Sequence, residues 1–316
     1  MHSDSLRAKF LGALVGTGVG DAVGAGFEGR PPFDSQLVES AIERKQVLRY
    51  TDDTHMMIGI AESLIEKGGF DGAHMADVFA QNYEAEPWRG YGPGPPVLFR
   101  MLRRGVPWDQ LGDKVYSGGS YGNGSAMRIA PVGVMYHDDL DSLREVAYKS
   151  SHITHSHELG KEGAALQACA IAMALGMRPD SRFDAGEFLS KLGDFVTHAV
   201  YKEKLAKAKK LLRTTDARLI VQELGHGVEA FNSAPTAIYC FVSRANSFRD
   251  AILFAVSLGG DTDTIAAMTG AISGAYLGVD DIPEKWRLKL ENRAYIEELA
   301  NKLYQLWLRK KGSPPS

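Results

Sequence analysis

Cysteine is nearly absent: Cys169 and Cys240 are the only two in 316 residues. Two are too few for a structural four-cysteine zinc site, and both sit in apolar, helix-like runs where buried free thiols are usual, so a reducing cytoplasm is the expected compartment. A basic excess is also missing. The 36 Lys and Arg against 39 Asp and Glu leave a net charge of −3, which gives no general attraction to phosphate backbones, and direct nucleic-acid binding is not expected. No window approaches the ~20 apolar residues of a membrane span, and Met1-His2-Ser3-Asp4-Ser5 lacks the basic region and apolar run of a secretory signal. Neither export nor membrane embedding is therefore expected. Sustained apolar/polar alternation, the mark of half-buried strands, is found in no segment.

What the chain does have is apolar material, 44% of its residues against 24% charged, enough for one large core. Helical periodicity recurs at 5–25, 54–66, 72–85, 95–104, 141–151, 159–176, 185–198, 202–213, 216–224, 234–244, 248–257, 263–277 and 284–309. Asp4 or Ser5 is placed to cap the first of these and Asp184 a later one. With no linker to divide it, the pattern predicts an all-α single compact domain over 1–311, of a dozen or more helices, followed by a disordered tail at 312–316. A monomer is expected. Gly12, Gly16 and Gly20 recur at four-residue spacing in the first helix, as do Gly270 and Gly274 late in the chain. Such stripes let helix backbones approach closely, which would make these two helices neighbours at the centre.

Two acidic clusters, Thr51-Asp52-Asp53-Thr54 and Asp261-Thr262-Asp263-Thr264, each open an apolar helix. Asp and Thr are good helix caps, and first-turn carboxylates suit the helix dipole, so either cluster alone needs no further explanation. Capping explains neither the extra acids nor Gly259-Gly260 before the second cluster. Carboxylates and hydroxyls are the hard ligands of Mg²⁺, with Mn²⁺ as a substitute, and zinc is disfavoured without nearby cysteine. Four Asp side chains over-supply one ion, and a pair of ions about 3.5–4 Å apart bridged by a carboxylate is the natural arrangement. Asp261 and Asp263 do not share a helix face, so both reach an ion only if the chain is still turning there.

Gly118-Gly119-Ser120-Tyr121-Gly122-Asn123-Gly124 precedes a helix-like start at Ser125-Ala126-Met127-Arg128. Its exposed backbone N–H groups suit a diphosphate, though it has neither Walker nor Rossmann spacing and also reads as a plain surface loop. His152, His155 and His157 do not share a helix face and carry no zinc motif; a helix start capped by Thr154 or Ser156, with one histidine aimed at a phosphate or hydroxyl, is the better reading. Gly90-Tyr91-Gly92-Pro93-Gly94-Pro95-Pro96 is expected not to be helical and to form a fixed loop that borders a pocket at Gly90, though turn formation alone would also explain it. Glu28, in a glycine-rich turn, has no local mark of a catalyst.

Gly20-Asp21-Ala22-Val23-Gly24, Tyr50 to Thr54, Gly122 to Arg128 and Ser257 to Thr264, in this order and spacing, together resemble the ADP-ribosylglycohydrolase family. Phe27-Glu28, Gly90-Tyr91-Gly92, Gly119 to Gly122 and Pro235 to Cys240 are most similar to its branch that hydrolyses ADP-ribosylserine and degrades poly(ADP-ribose). The resemblance implies an all-helical enzyme with two Mg²⁺ ions, acting on ADP-ribosylated proteins or peptides and binding ADP-ribose. It implies that Thr51, Asp52 and Asp53 hold one ion, Asp261 and Thr264 the other, and Asp263 bridges; that Asp52 also meets substrate; and that Glu28 is catalytic, as acid or as base. The Gly118, Gly119, Ser120, Tyr121, Gly122, Asn123, Gly124 loop would hold the diphosphate and distal ribose, His155 would contact the ligand, and Tyr116 and Val228 would line the adenosine side. Alternatives are an ADP-ribosylarginine hydrolase of the dinitrogenase reductase-activating type and a non-catalytic ADP-ribose-binding relative.

Overall fold

The glycine stripes form the centre of the molecule. In the computed structural model, which describes residues 3–179 and 182–312, α1 (Ser3–Gly24) lies antiparallel against α15 (Thr262–Leu277). A Cβ placed on Gly12 would sit 2.2 Å from the Gly274 carbonyl oxygen, on Gly16 2.3 Å from that of Gly270, on Gly20 2.1 Å from that of Ala266, and on Gly24 2.3 Å from that of Thr262. Backbone meets backbone along four turns, which only residues without a side chain permit. The antiparallel run has a consequence for function: it delivers the end of α1 to the start of α15, where the second acidic cluster lies.

Between these two come α2 (Gln36–Arg44), α3 (Asp52–Lys67), α4 (Gly72–Ala85), α5 (Gly94–Arg103), α6 (Trp108–Leu111), α7 (Ala130–Met135), α8 (Leu140–His152), α9 (Glu158–Gly176), α10 (Ala185–Phe195), α11 (Ala199–Leu211), α12 (Ala217–Leu224), α13 (Ala230–Ser243) and α14 (Phe248–Ser257); α16 (Glu284–Lys289) and α17 (Arg293–Gly312) follow. Helices α9, α13 and α14 pack on α15, while α3 and α17 pack on α1. Among the described residues there is no strand, only two isolated bridges, Leu48 with Leu290 and Gly122 with Glu229. The all-α expectation holds, and no described helix is long and apolar enough to cross a membrane. Cys169 and Cys240 are buried free thiols, as expected.

Two expected helices are broken, each by a carboxylate. The span 185–198 ends at Phe195 because buried Glu162 takes the Thr197 N–H, the Thr197 hydroxyl at 3.1 Å and the His198 N–H at 3.3 Å; a new helix then starts at Ala199. The span 284–309 is interrupted at Leu290, whose neighbour Glu291 accepts from the Tyr50 N–H at 2.8 Å and donates its own N–H to Leu48 O at 3.1 Å. Helices α2, α6 and α7 are additional to the periodic segments. Asp184 caps α10 as expected, accepting from the Glu187 N–H at 2.9 Å. Asp4 and Ser5 do not precede α1, which already runs through both. Gly312, read as the start of a disordered tail, is the last residue of α17, and 313–316 lie outside the described residues.

Candidate active site

Asp21, near the end of α1, organises the first acidic cluster. Its wholly buried carboxylate accepts from the Thr51 N–H at 3.0 Å, the Thr51 hydroxyl at 2.9 Å, the Thr54 N–H at 3.0 Å and the Thr54 hydroxyl at 2.6 Å. An acid from another helix thus satisfies the orphan donors at the start of α3. Thr51, the N-cap, accepts from the Asp53 N–H at 3.3 Å. Its hydroxyl proton is committed to Asp21, so what it has left to offer the cavity is a lone pair. The sequence alone assigns Asp21 no role, although an acid inside the apolar, glycine-rich part of α1 was the available signal.

The second cluster is set by Gly259 and Gly260, at φ +72° and +74°. A Cβ on Gly259 would lie 2.1 Å from Arg30 O and one on Gly260 2.1 Å from His226 O. The turn is clamped to the Glu28 loop by Gly29 N–H to Gly260 O and Gly260 N–H to Arg30 O, both 2.8 Å. Asp261 is consequently the residue just before the helix and Asp263 lies in its first turn, while Thr262 turns away to donate to Gly24 O at 2.9 Å. The chain is still turning there, as the i, i+2 spacing required. Glu28, Asp261 and Asp263 have carboxylate oxygens within 4.8 Å of one another, with Glu28 exposed and the other two buried.

Several carboxyl groups are thereby forced together. Burial, then the charge of Asp263, pushes Asp21 up to about 7. Burial, then Asp21 and Asp263, pushes Asp52 to about 8, and burial, then Asp261, pushes Asp263 to about 8. Asp53 and Asp261 are raised too, chiefly by burial. Asp261 and Asp263 lie close enough that the charge of Asp261 opposes ionisation of Asp263. Asp53 Oδ2 is buried with no hydrogen-bond partner. A crowded set of hard oxygen donors containing an orphaned carboxylate oxygen is what divalent Mg²⁺ or Mn²⁺ requires, and the residues fit such a group.

A cavity of about 340 Å³ opens over the acids. Glu28, Thr51, Asp52, Asp53, Asp261, Asp263 and Thr264 line it together with Gly90, Tyr116, Ser120, Gly122, Asn123, Gly124, His155 and Val228. Gly118, Gly119 and Tyr121 are not in its wall. Gly118 is exposed, Gly119 is packed where a Cβ would meet Ser156 Oγ at 2.2 Å, and Tyr121 turns its ring to His157 and Phe231. The expected helix start after the loop is a single 3₁₀ turn, Asn123–Ser125, because Asn123 is held from both sides: its N–H donates to Val228 O at 2.8 Å and its Nδ2 to Asp261 Oδ2 at 2.5 Å. Two roomier grooves of about 610 Å³ lie elsewhere, by Arg182 and Arg244 and along α17, and neither gathers the acids. The loop at Gly90 is anchored by Tyr91, whose hydroxyl meets His55 Nδ1 at 2.9 Å. Contrary to the expectation that none of this run is helical, its last three residues, Gly94, Pro95 and Pro96, open α5, because proline is compatible with the first turn, where its missing N–H would have no partner.

The three histidines diverge. His152 Nε2 contacts Asp109 O at 2.8 Å, and His155 faces the cavity. His157, rather than Thr154 or Ser156, caps α9, its Nδ1 accepting from the Leu159 N–H at 3.1 Å. Thr154 is engaged instead by its neighbour His155 and by Arg128, a contact from 26 positions away that local sequence does not reveal.

Residues 2–312 match the sequence profile of the family described as ADP-ribosylglycohydrolase. The chain belongs to the ADP-ribosylglycohydrolase family. This ADP-ribosylglycohydrolase is 35% identical to ADP-ribosylhydrolase ARH3 of Homo sapiens, over 95% of this chain and 94% of that one. It is 28% identical to the ADP-ribosylarginine hydrolase Tri1 of Pseudomonas putida, over 94% of this chain and 78% of the relative. A solved structure titled "ADP-ribosylglycohydrolase-related protein complex" superposes with a TM-score of 0.74 at 26% identity, covering 96% of this chain and 99% of that one. The protein is therefore an enzyme of this family, with the family's all-α fold.

Proposed function

We propose that this ADP-ribosylglycohydrolase hydrolyses the bond from the anomeric carbon of ADP-ribose to a serine side chain, or the bond between units of poly(ADP-ribose). One observation carries the reading: Glu28, Asp261 and Asp263 converge within 4.8 Å in the cavity that also holds Thr51, Asp52, Asp53 and the Ser120 to Gly124 loop. The motifs around Phe27-Glu28, Gly90 to Gly92 and Pro235 to Cys240, and the higher identity to ARH3 than to Tri1, favour serine and polymer over arginine.

Thr51, Asp52 and Asp53 would hold one Mg²⁺ and Asp261 and Thr264 a second, with Asp263 between them, and the ions would polarise substrate oxygens as Lewis acids. The chain's own groups do the rest. Loop residues Ser120, Gly122, Asn123 and Gly124 bind the diphosphate and distal ribose, with Tyr116 and Val228 on the adenosine side. Buried Asp261 and Asp263 are poorly placed to trade protons with bulk water. Glu28 is the exposed carboxyl of the trio and is the proton carrier at the anomeric centre, as the sugar becomes oxocarbenium-like. The test offers purified protein serine-linked and arginine-linked ADP-ribosyl peptides and poly(ADP-ribose), with Mg²⁺ or with EDTA. Release from the serine peptide or the polymer is expected with Mg²⁺ only. Release confined to the arginine peptide would move the enzyme to the Tri1 type, no release from any substrate would sink the activity, and release indifferent to EDTA would sink the metal.

A further inference from the structure

Arg128 has no part in the chemistry above, yet its placement is costly. It is fully buried, its guanidinium lies 4.6 Å from the centre of the Phe79 ring, and its Nε has no partner. Among the described residues no carboxylate lies within ion-pair distance of it. A buried guanidinium without a carboxylate partner is unfavourable, and an apolar side chain of similar volume would fill the space at less cost. Nη1 donates weakly to Met56 Sδ at 3.6 Å, and the two bonds to oxygen both come from Nη2, to Ser150 O at 3.0 Å and to Thr154 Oγ1 at 2.9 Å.

The Thr154 contact has a directional consequence. A guanidinium only donates, so Thr154 Oγ1 must accept from it. Among the described residues the one other hydrogen-bond partner of that hydroxyl is His155 Nδ1, at 2.7 Å. Were Nδ1 to donate as well, the oxygen would accept twice and the proton of this buried hydroxyl would be left without an acceptor among the described residues. The hydroxyl proton therefore goes to Nδ1, which then carries no proton, and a neutral imidazole must bear its proton on Nε2. The backbone that carries the ring is fixed: the His155 N–H donates to Ser151 O at 2.7 Å, and Ser151 Oγ donates back to His155 O at 2.9 Å. Its Nε2 edge lies along the loop, where a Cβ on Gly124 would be 2.9 Å away and one on Gly122 3.3 Å.

We infer that Arg128, acting through the Thr154 hydroxyl, locks His155 as the Nε2–H tautomer, so that the cavity offers a neutral hydrogen-bond donor to an anionic oxygen of the bound diphosphate. Arg128 and Thr154 are positioning residues; His155 makes the contact. Burial, and secondarily the Arg128 charge, holds His155 well below its ordinary pKa, which keeps the ring neutral at physiological pH. The identity of the ligand rests on the function proposed above, whereas the tautomer does not.

The decisive measurement is a long-range ¹H–¹⁵N spectrum of the full chain, uniformly ¹⁵N-labelled and without ligand, with the His155 signals assigned by their loss in His155→Gln. Wild type and Thr154→Ser are expected to show protonated Nε2 and bare Nδ1, and Thr154→Val to lose that preference. Calorimetry then gives the consequence: Thr154→Val should bind ADP-ribose about tenfold more weakly, about 1.4 kcal/mol, with Thr154→Ser largely restored and adenosine affinity unchanged. A wild-type His155 protonated on Nδ1 would overturn the relay, as would Thr154→Val with tautomer and affinity intact. If that variant does not fold, the wild-type and Thr154→Ser spectra still decide. Failure of wild type to bind ADP-ribose would overturn the ligand and the proposed function together, while the free-protein spectrum rules on the relay separately.

Discussion

Raising pH should destabilise the metal-free protein, and Mg²⁺ should remove the effect. Asp21 at the end of α1, Asp52 and Asp53 on α3, Asp261 and Asp263 at the start of α15 and Glu28 on its loop share one region. Tyr91 and the buried Arg128 stand near Asp52. Asp21 is raised from 3.8 to about 7, and Asp52 and Asp263 to about 8, by burial and by one another. The sign follows directly. Between about pH 4 and 8 the unfolded chain has released protons that the folded state retains, so stability is greatest at the acid end and is lost as pH rises. For wholly buried Asp21 the rise from 3.8 to about 7 corresponds to about 4 kcal/mol once the group ionises. Each retained proton costs about 1.4 kcal/mol per pH unit, so one or two across the cluster give a loss of about 3–5 kcal/mol between pH 5 and 7. At about 2 °C per kcal/mol for a chain of this size, Tm in EDTA should fall by about 6–10 °C. Saturating Mg²⁺ competes with those protons, so its stabilisation should grow with pH. Differential scanning calorimetry at pH 5, 6, 7 and 8, with EDTA or Mg²⁺, measures both, and Asp52→Asn should flatten the EDTA slope. A Tm in EDTA that stays flat or rises with pH, with an equal Mg²⁺ increment throughout, would refute the reasoning.

Other perturbations separate the site from its supports. Asp261→Asn should lower turnover at least about 100-fold, since even outer partners of a metal site cost 10–100-fold; turnover within a few-fold of wild type would remove Asp261 from the ligand set. His157→Ala deletes the cap of α9 and an edge contact with the Tyr121 ring and should cost about 1–2 kcal/mol in denaturant titration, with kcat little changed. Gly16→Ala puts a methyl group 2.3 Å from the Gly270 carbonyl oxygen, a clash between backbones that cannot turn aside, and should cost about 3 kcal/mol or more. A soluble Gly16→Ala protein with wild-type Tm would show that α1 and α15 are not so close.

The features legible in the sequence were those whose cause is local or periodic. The acids and hydroxyls that open α3 and α15, the Gly259-Gly260 turn and the four-residue glycine stripes announce themselves, because caps, positive φ and close helix contact each demand particular residue types. The breaks after Phe195 and around Leu290 have distant causes: Glu162 is more than thirty positions from Thr197, and Tyr50 more than two hundred from Glu291. The cap of α9 went to His157 for the same reason. Thr154 is the better capping residue by type, but its hydroxyl is claimed by Arg128 and His155.

Asp21 is the most instructive residue that sequence reading passed over. Its four acceptor contacts run to Thr51 and Thr54, and it is held beside Asp263 because α1 and α15 are joined glycine to carbonyl along their length. It thus links a packing feature to an electrostatic one. The close helix pair fixes how near the two acidic clusters come, and that distance fixes how strongly their carboxyl groups oppose ionisation without a cation. Widening the α1–α15 contact by a methyl group should accordingly lower stability and also weaken the pH dependence of Mg²⁺ binding, as the carboxyl groups separate. A Gly20→Ala protein whose Mg²⁺ affinity kept the wild-type pH slope despite a lowered Tm would show that packing and metal site are independent.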